Sequence, residues 1–267
     1  MTDTKQDHRT APQGFNWVVS DGLAMTKRYL LRNLRTPQYV VFSTIQPIMF
    51  VLLFVYVFGG AIGDVPGGSY TNFIIPGIMV QTSVFGATNT AIGIADDLQR
   101  GMVERFRSLP MARSAVLVGR TLADGIRNLF VTTLIIVVGY IIGFRFEGNV
   151  LESLGAVFVA VLFGYALSWV FAFVGVKSGD VETAQASGFV WVFPLVFASS
   201  AFVPTSSMPS WLAAFANNQP VTKVVDATRA LALDFPAADA LTAALAWSVL
   251  IIAVFSWLTV RAYRTAS

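Results

Sequence analysis

Residues Asp96 to Ser114 read DDLQRGMVERFRSLPMARS and place a dense run of charge between two long apolar stretches. The charged residues in this run are Asp96, Asp97, Arg100, Glu104, Arg105, Arg107 and Arg113. Charged side chains are unfavourable in the hydrocarbon core of a bilayer, so a strip like this between two membrane spans should lie outside that core. We predict that this charged strip, residues 96–114, is where a component outside the membrane acts on the part inside it.

The composition of the chain indicates an integral membrane protein. Of its 267 residues, 55% are hydrophobic and 12% are charged, whereas soluble domains carry about 25% charged residues. A soluble chain of this size could not bury so much apolar surface, so lipid is the expected solvent. The chain has no cysteine and a single histidine, His8. These counts argue against disulfides, thiolate–metal sites, and catalytic triads or metal sites built on histidine.

Apolar stretches long enough to cross a bilayer recur along the chain. The first, residues 39–62, contains no charged residue, and a helix of that length exceeds a hydrocarbon core of about 30 Å. The predicted spans are residues 39–62, 70–95, 116–144, 151–176, 186–203 and 238–260. Pro194 interrupts the fifth span, and residues 204–239 are predicted to form a re-entrant or membrane-surface pair of helices. The predicted fold is an all-α membrane domain with six spans over residues 37–267.

The residues before this domain divide into two parts. Residues 1–14 are polar and are predicted to be a disordered tail. Residues 15–36 are predicted to form an interfacial amphipathic helix, with Trp17 and Tyr29 at headgroup depth. The apolar face of this helix carries Val19, Leu23, Leu30 and Leu34, and the opposite face carries Arg28, Arg32 and Arg35, which would reach anionic headgroups. The alternative is a short solvated helix ahead of the first span.

The distribution of lysine and arginine predicts the orientation of the spans. Six of these residues lie in the N-terminal segment 1–38, four lie in the charged strip, and two follow the sixth span. The loop after the first span has none, the loop after the third has one, and the long loop after the fifth has two. Loops that are rich in lysine and arginine stay on the cytoplasmic side of the membrane. Both termini and the charged strip are therefore predicted to be cytoplasmic.

Sequence motifs for catalysis or metal binding are absent. There is no Gly-Lys dipeptide and hence no phosphate-binding loop of the Walker A type, and neither HExxH nor GxSxG occurs. No catalytic residue and no metal ligand is therefore predicted. One polar cluster stands out at helical spacing in the third span: Arg120, Asp124 and Arg127. These charges are either ordinary interfacial residues or an inward-facing cluster, which would indicate function.

Two segments resemble a known family. They are GMVERFRSLPMARSAVLVGR, residues 101–120, and NNQPVTKVVDATRAL, residues 217–231. With the six-span layout, they make the chain similar to the membrane subunit of ABC-2 type ABC transporters, and in particular to the daunorubicin-resistance type permeases. The resemblance implies two ATPase subunits on separate chains, which would hold ATP and magnesium, and a second permease subunit, identical or paralogous. It implies no cofactor in this chain and no nucleic-acid partner.

The same resemblance implies a coupling helix that docks on the ATPase. Its residues are Gly101, Met102, Glu104, Arg105, Phe106, Arg107, Ser108, Leu109 and Pro110. The residue pattern agrees, because Met102, Phe106 and Leu109 recur at helical spacing as an apolar anchor and the arginines can pair with acids on a partner. The alternative is that these residues only coat a solvated loop.

The expected function is export of a hydrophobic or amphipathic drug or lipid across the plasma membrane. Spans two and five would line the pathway, with Gln81, Phe85, Asn89, Phe193 and Phe197 as candidates. The 22 phenylalanines suit aromatic cargo, although lipid-facing positions are the simpler explanation for most of them. Two alternatives stay open: a permease that exports a lipid-linked polysaccharide, and a stand-alone secondary carrier, for which inverted repeats and midplane ions would be expected.

Overall fold

The computed structural model describes residues 15–35, 37–62, 65–66, 68–102 and 113–265. Their regular structure is entirely helical, with nine α-helices, a π-helical segment and one short 3-10 turn. The α-helices are α1 (Phe15–Leu34), α2 (Pro37–Leu52), α3 (Tyr70–Gln99), α4 (Arg113–Ile141), α5 (Val150–Ser178), α6 (Val181–Phe197), α7 (Ser210–Asn218), α8 (Pro220–Ala232) and α9 (Ala238–Thr265). The π-helical segment Leu53–Phe58 continues α2. The predicted tail 1–14 lies outside the described residues.

Helices α3 and α5 form the centre of the bundle. They pack along each other, and α4, α6 and α8 contact α3 from its other sides. Helix α9 packs on α5 and α8, while α1 packs mainly on α4. The main core is accordingly rich in side chains from α3 and α5, among them Phe73, Ile78, Met79 and Phe163, all at most 1% exposed.

Among the described helices, three are long and apolar enough to cross a membrane. The apolar stretches are Ala115–Ile141 in α4, Val150–Ser178, which is all of α5, and Ala238–Tyr263 in α9. Two shorter apolar helices cover Ser43–Phe58 and Val181–Phe197. Helix α3 has 30 residues but carries polar and acidic side chains along its length, which lowers its mean hydropathy. This polarity matches its position at the centre of the bundle.

The connection between α5 and α6 is shorter than the sequence indicated. The predicted spans 151–176 and 186–203 left residues 177–185 between them, but α5 continues to Ser178 and α6 begins at Val181. Gly179 ends α5 with a φ of 77°, a left-handed conformation that glycine adopts without strain. Asp180 then caps α6 by accepting a hydrogen bond from the backbone N–H of Thr183. A two-residue turn therefore joins the two helices.

Helix α1 packs on the protein with a face other than the apolar face that was predicted to meet the membrane. The residues of α1 that are buried are Gly22, Met25, Thr26 and Tyr29. Met25 and Tyr29 belong to a second hydrophobic cluster, separate from the main core, which also contains Leu117 of α4. Leu23 and Leu34 are 60% and 68% exposed. The ring of Tyr29 packs inside the protein at 1% exposure and does not face headgroups, and its predicted depth in the membrane stays a prediction. Arg32 also differs from the prediction, since it pairs with acids of α3.

Helix α8 is amphipathic, but Arg229 lies on its buried side. Although this residue is charged, the structure leaves it 6% exposed. Its guanidinium donates to the Phe73 carbonyl at 3.2 Å and to the Ser200 carbonyl at 2.8 Å, and it pairs with Asp226 at 3.3 Å. Arg229 also lies over the Phe73 ring, 3.7 Å from its centroid. One side chain thus ties α8 to α3 and to the turn after α6.

Replacing Arg229 with methionine is expected to lower the free energy of unfolding by about 3 kcal/mol, because two buried carbonyls and Asp226 lose their donor. Thermal unfolding of the purified chain in detergent, followed by tryptophan fluorescence, measures the change. The matched control is Lys223→Met on the same helix, which is half-buried and should change stability by less than about 0.5 kcal/mol. Equal stability of the two variants would contradict the role given to Arg229.

Gly175 permits the close approach of α5 to α3. A Cβ atom at this position would lie 2.5 Å from the Ala91 carbonyl oxygen and 2.9 Å from its Cα. Gly175→Ala is therefore expected to push the two central helices apart and to destabilise the protein by about 1–3 kcal/mol. Gly60→Ala is the control, since a Cβ there meets nothing within 4 Å. Unfolding midpoints of both variants in detergent test this, and an unchanged midpoint for Gly175→Ala would contradict it.

Candidate functional site

A buried polar cluster joins α4 to α3. It consists of Arg120, Asp124 and Arg127, which share one face of α4. Arg120 Nε donates to Asp124 Oδ2 at 3.2 Å, and Arg127 Nη2 lies 3.8 Å from Asp124 Oδ1. The arginines also donate to the backbone of α3, Arg120 to the Asn89 carbonyl at 2.9 Å and Arg127 to the Gly86 carbonyl at 2.6 Å. The structure thus places the cluster inside the bundle and not at its surface.

Burial makes this polar cluster sensitive to the loss of any member. The side chains of Arg120, Asp124 and Arg127 are 8%, 1% and 10% exposed. Thr90 of α3 donates a further hydrogen bond to Asp124 Oδ2 at 2.7 Å. Removing one partner from such a group leaves an uncompensated charge in a low-dielectric interior. The bonds to α3 also mean that α3 and α4 are held together at this level.

A second polar contact holds α1 against the end of α3. Tyr29 donates from its hydroxyl to Asp97 Oδ2 at 2.8 Å. Arg32 pairs with Asp97 at 3.0 Å and with Asp96 at 2.6 Å, and Arg100 pairs with Asp96 at 2.7 Å. Burial of Tyr29 and the negative charge of Asp97 raise the pKa of the phenol well above its ordinary value, so the hydroxyl stays a donor. This α1–α3 contact lies at the end of α3, directly before residue 101, where the predicted coupling helix begins.

The α1–α3 contact is expected to weaken in acid. Partial burial raises the pKa of Asp96, but the hydrogen bonds from Arg100 and Arg32 outweigh it and lower that pKa below the ordinary value. A lowered pKa in the folded state means that the carboxylate stabilises the contact above its ordinary pKa and loses this effect as the pH falls through the lowered value. Hydrogen exchange of α1 amides, corrected for intrinsic exchange rates, should show easier opening at about pH 3 than at neutral pH, and Asp96→Asn should reduce this acid response. The same acid response in Asp96→Asn would contradict this assignment.

A pocket of about 220 Å³ opens between α2, α3, α4 and α6. Three of the predicted pathway residues, Gln81, Phe85 and Asn89, line it together with Arg127 of the polar cluster. Gln81 is 4% exposed, and its Oε1 accepts no hydrogen bond from any residue that the structure describes. The pocket therefore combines aromatic walls with buried polar groups.

The other two predicted pathway residues lie beside this pocket and not in its lining. Phe193 and Phe197 of α6 are 47% and 46% exposed and stack on each other with ring centroids 5.6 Å apart. Phe193 and Phe85 pack edge to face with ring centroids 5.4 Å apart, and Phe197 stacks on Phe202 at 5.1 Å. A row of aromatic rings thus leads from the pocket along α6.

The sequence did not single out several residues that line the pocket. They are Ser43, Gln46, Phe50, Asn128, Gln185 and Phe189. Asn128 directly follows Arg127, and polar side chains within an apolar helix were the available signal. Ser43 and Gln46 gave the same signal in α2, but which side of α2 faces the pocket depends on the rotation of α2 against α3, which is a property of the packed bundle.

Only the first two residues of the predicted coupling helix belong to the described part of the chain. Gly101 and Met102 follow the end of α3, and Gly101 has a φ of 64°, a left-handed conformation suited to the residue after a helix. The remaining predicted docking residues, Glu104, Arg105, Phe106, Arg107, Ser108, Leu109 and Pro110, lie outside the described residues. Within the part of the chain that is described, no group of three histidine, cysteine or acidic residues could hold a metal ion.

Comparison with known proteins gives one family. Residues 22–233 match the family described as "ABC-2 type transporter". The chain is 32% identical over 247 residues to "Daunorubicin resistance ABC transporter permease protein DrrB1" of Streptomyces coeruleorubidus, covering 92% of this chain and 87% of the relative. It is 28% identical over 274 residues to "Probable doxorubicin resistance ABC transporter permease protein DrrC" of Mycobacterium tuberculosis (strain ATCC 25618 / H37Rv), covering 100% of this chain and 99% of the relative. The match runs through the polar cluster and the pocket.

Proposed function

The chain belongs to the ABC-2 type transporter family of membrane permeases, and on that premise we propose that it carries a hydrophobic or amphipathic drug or lipid out across the plasma membrane. The observation that carries this proposal is the full-length similarity to permeases named for daunorubicin and doxorubicin resistance. The pocket between α2, α3, α4 and α6 supports it, because mixed aromatic and polar walls suit an amphipathic ligand.

Energy for transport comes, in this proposal, from two ATPase subunits on separate chains, which hold ATP and magnesium. Residues 101–110 dock on the ATPase, and a second permease subunit, identical or paralogous, completes the transporter. The position of the α1–α3 contact directly before residue 101 supports this arrangement, since α1 then holds the helix that a docked partner would push. The polar cluster would pass such a displacement from α3 to α4, because the two helices share its hydrogen bonds.

The proposed topology has six spans with both termini in the cytoplasm. The spans correspond to α2 with its π-helical continuation, α3, α4, α5, α6 and α9. Helix α1 lies in the inner interface, where its exposed leucines face lipid. Helices α7 and α8 form the re-entrant pair on the outer side, and the burial of α8 residues such as Val224 and Val225 supports this placement.

Membership of the family argues against the stand-alone carrier, since these permeases work with an ATPase. Export of a lipid-linked polysaccharide remains the competing cargo. It would require a wide, continuous channel lined by aromatic residues, whereas the pocket in one copy of the chain has a volume of about 220 Å³. We therefore favour the smaller amphipathic cargo.

Co-purification and vesicle transport test the proposal. The tagged full-length chain, extracted from the membranes of its own host with mild detergent, should bring an ABC ATPase with it. Inside-out vesicles from the same membranes should accumulate daunorubicin or a fluorescent phospholipid when ATP is added, and vesicles lacking the chain should not. If the chain purifies alone and ATP adds no uptake of either probe, the proposal is wrong.

A further inference from the structure

Helix α1 has three sides with different surroundings. One side, with Met25 and Tyr29, packs on the protein. The second side carries exposed leucines, among them Leu23 and Leu34 at 60% and 68% exposure. The third side forms an open, basic groove of about 590 Å³, whose described lining is Ala24, Lys27, Arg28, Leu31, Arg32 and Arg35. The helical period places the exposed leucines and the basic groove next to each other on the surface of α1 that faces away from the bundle.

The basic groove has the chemistry of a phosphate site. Four of its six described lining residues are cations, and none of the six is acidic. Lys27, Arg32 and Arg35 are exposed and Arg28 is half-buried, so one ligand can approach all four from the same side. Arginine guanidinium groups bind phosphate oxygens through paired hydrogen bonds, and a lysine adds a compact positive charge. The groove therefore fits a phosphate or phosphodiester group.

The surroundings of the basic groove favour a phospholipid over a soluble phosphate. Leu31 belongs to the lining and is 40% exposed, and the exposed Leu23 and Leu34 lie on the adjoining side of the helix. A helix with apolar and basic sides rests in the membrane interface, with its apolar side chains among acyl chains and its cations at headgroup depth. A lipid with a negatively charged headgroup would contact both sides of α1 at once.

Arg32 connects the basic groove to the α1–α3 contact. It lines the groove, and it also pairs with Asp96 at 2.6 Å and with Asp97 at 3.0 Å. Arg32 further borders a second cavity of about 260 Å³, which opens between α1, α3, α4 and α6. A phosphate that reaches Arg32 meets a cation already shared by two carboxylates, and their negative charges repel it. A lipid phosphate and Asp96 would therefore compete for the same guanidinium.

We propose that the basic groove of α1 binds the headgroup of one anionic phospholipid of the inner leaflet, and that this lipid competes with Asp96 for Arg32. The phosphate contacts Lys27, Arg28 and Arg35, and the acyl chains lie against the exposed leucines. Anionic lipid then weakens the hold of Arg32 on α3, directly before the predicted coupling helix. This assignment rests on the placement of α1 in the inner interface, which belongs to the proposed function, and it adds a membrane lipid as a regulator of the α1–α3 contact.

Native mass spectrometry of the full-length chain in a neutral detergent counts bound lipids and tests the site. The probes are dioleoyl phosphatidylglycerol and dioleoyl phosphatidylcholine, which have the same acyl chains. We expect the first phosphatidylglycerol to bind at least about tenfold more tightly than the first phosphatidylcholine. Lys27→Gln with Arg35→Gln should reduce this preference to about twofold or less. Lys177→Gln with Arg261→Gln removes the same two kinds of cation at exposed positions of α5 and α9 and should keep the preference.

Two results overturn the lipid site. The first is equal binding of the two lipids, or a preference that is unchanged in the Lys27→Gln, Arg35→Gln chain. The second is displacement of phosphatidylglycerol by about a hundredfold excess of glycerol phosphate, which has the charged headgroup without acyl chains and would assign the groove to a soluble phosphate.

Competition for Arg32 is tested in a chain with Arg100→Gln, because Arg100 also pairs with Asp96, at 2.7 Å. In that background, Asp96→Asn should raise the affinity for phosphatidylglycerol at least about threefold, since Arg32 then loses one of its two carboxylates. Glu182→Gln removes the same charge from an exposed position of α6 and should change the affinity by less than about 1.5-fold. Equal effects of Asp96→Asn and Glu182→Gln overturn the competition.

Failure of this proposal can be told apart from failure of the proposed function, because lipid binding needs neither ATP nor the ATPase. If the lipid preference holds and depends on Lys27 and Arg35 but vesicles show no ATP-dependent uptake, the exporter proposal is wrong and the lipid site stands. If uptake occurs but the two lipids bind equally, the exporter proposal stands and the lipid site is wrong.

Discussion

Replacing Arg105 with glutamate and Phe106 with alanine together is expected to abolish association with the ATPase and, with it, ATP-dependent transport. The apolar row Met102, Phe106 and Leu109 would lose its central member, and truncation of a buried aromatic anchor is among the largest single losses at protein interfaces. Reversing a charge that faces acidic groups on the partner adds like-charge repulsion. Co-purification of the ATPase with the tagged chain should fall at least about a hundredfold, a loss of about 3 kcal/mol or more.

A matched control separates docking from general damage. Trp257→Ala with Arg261→Glu makes the same two kinds of change at the end of α9, where Arg261 lies over the exposed Trp257 ring at 5.4 Å. This control should keep ATPase association and transport. Because residues 103–112 lie outside the described structure, the docking prediction rests on the sequence pattern and the family resemblance. If the ATPase still associates fully with the Arg105→Glu, Phe106→Ala chain, the assignment of residues 101–110 as the coupling helix is wrong.

Replacing Asp124 with leucine is expected to be the most destabilising single change in the membrane domain. Two buried arginines would then share the interior without their carboxylate, and Thr90 would lose its acceptor. Breaking a buried ion pair in this way typically lowers stability by about 3–5 kcal/mol. The yield of monodisperse protein in detergent and the midpoint of thermal unfolding should both fall sharply.

Two further variants make the Asp124 prediction specific. Asp239→Leu, at an exposed position in the first turn of α9, should leave the unfolding midpoint nearly unchanged. Replacing the whole polar cluster, with Arg120→Met, Asp124→Leu and Arg127→Met in one chain, should recover much of the stability, since well-packed apolar residues can substitute for a buried ion group. If Asp124→Leu is as stable as Asp239→Leu, the cluster does not hold α3 to α4.

Several features of the fold were predictable from the sequence because they depend on local chemistry. Composition identified lipid as the solvent, and runs of apolar residues located most of the long helices to within a few residues, as for α5 and the predicted span 151–176. A pair of helices within residues 204–239 was also expected, and α7 and α8 lie there, with α8 beginning at Pro220, a residue suited to the first position of a helix. The family resemblance likewise depends on residues that are adjacent in the chain.

The candidate site was only partly predictable. Gln81, Phe85 and Asn89 were chosen as polar or aromatic positions of the second span, and the structure brings all three to one pocket. Phe193 and Phe197 were chosen on the same reasoning, and they lie outside its lining. The spacing predicted that Arg120, Asp124 and Arg127 share one helical face. The pattern was compatible both with ordinary interfacial residues and with a cluster that faces inward.

By itself, the sequence determined the class of this protein, the type and approximate extent of its helices, and its family, since helical period, hydropathy and motif are written in neighbouring residues. Only the tertiary structure decided that Tyr29 and Arg229 are buried, that the polar cluster faces α3, and that four helices enclose one pocket. The physical reason is that each helix can rotate about its own axis without changing its period. Which face it buries depends on the side chains of helices far away in the chain, such as Phe73 against Arg229, and those contacts exist only in the packed bundle.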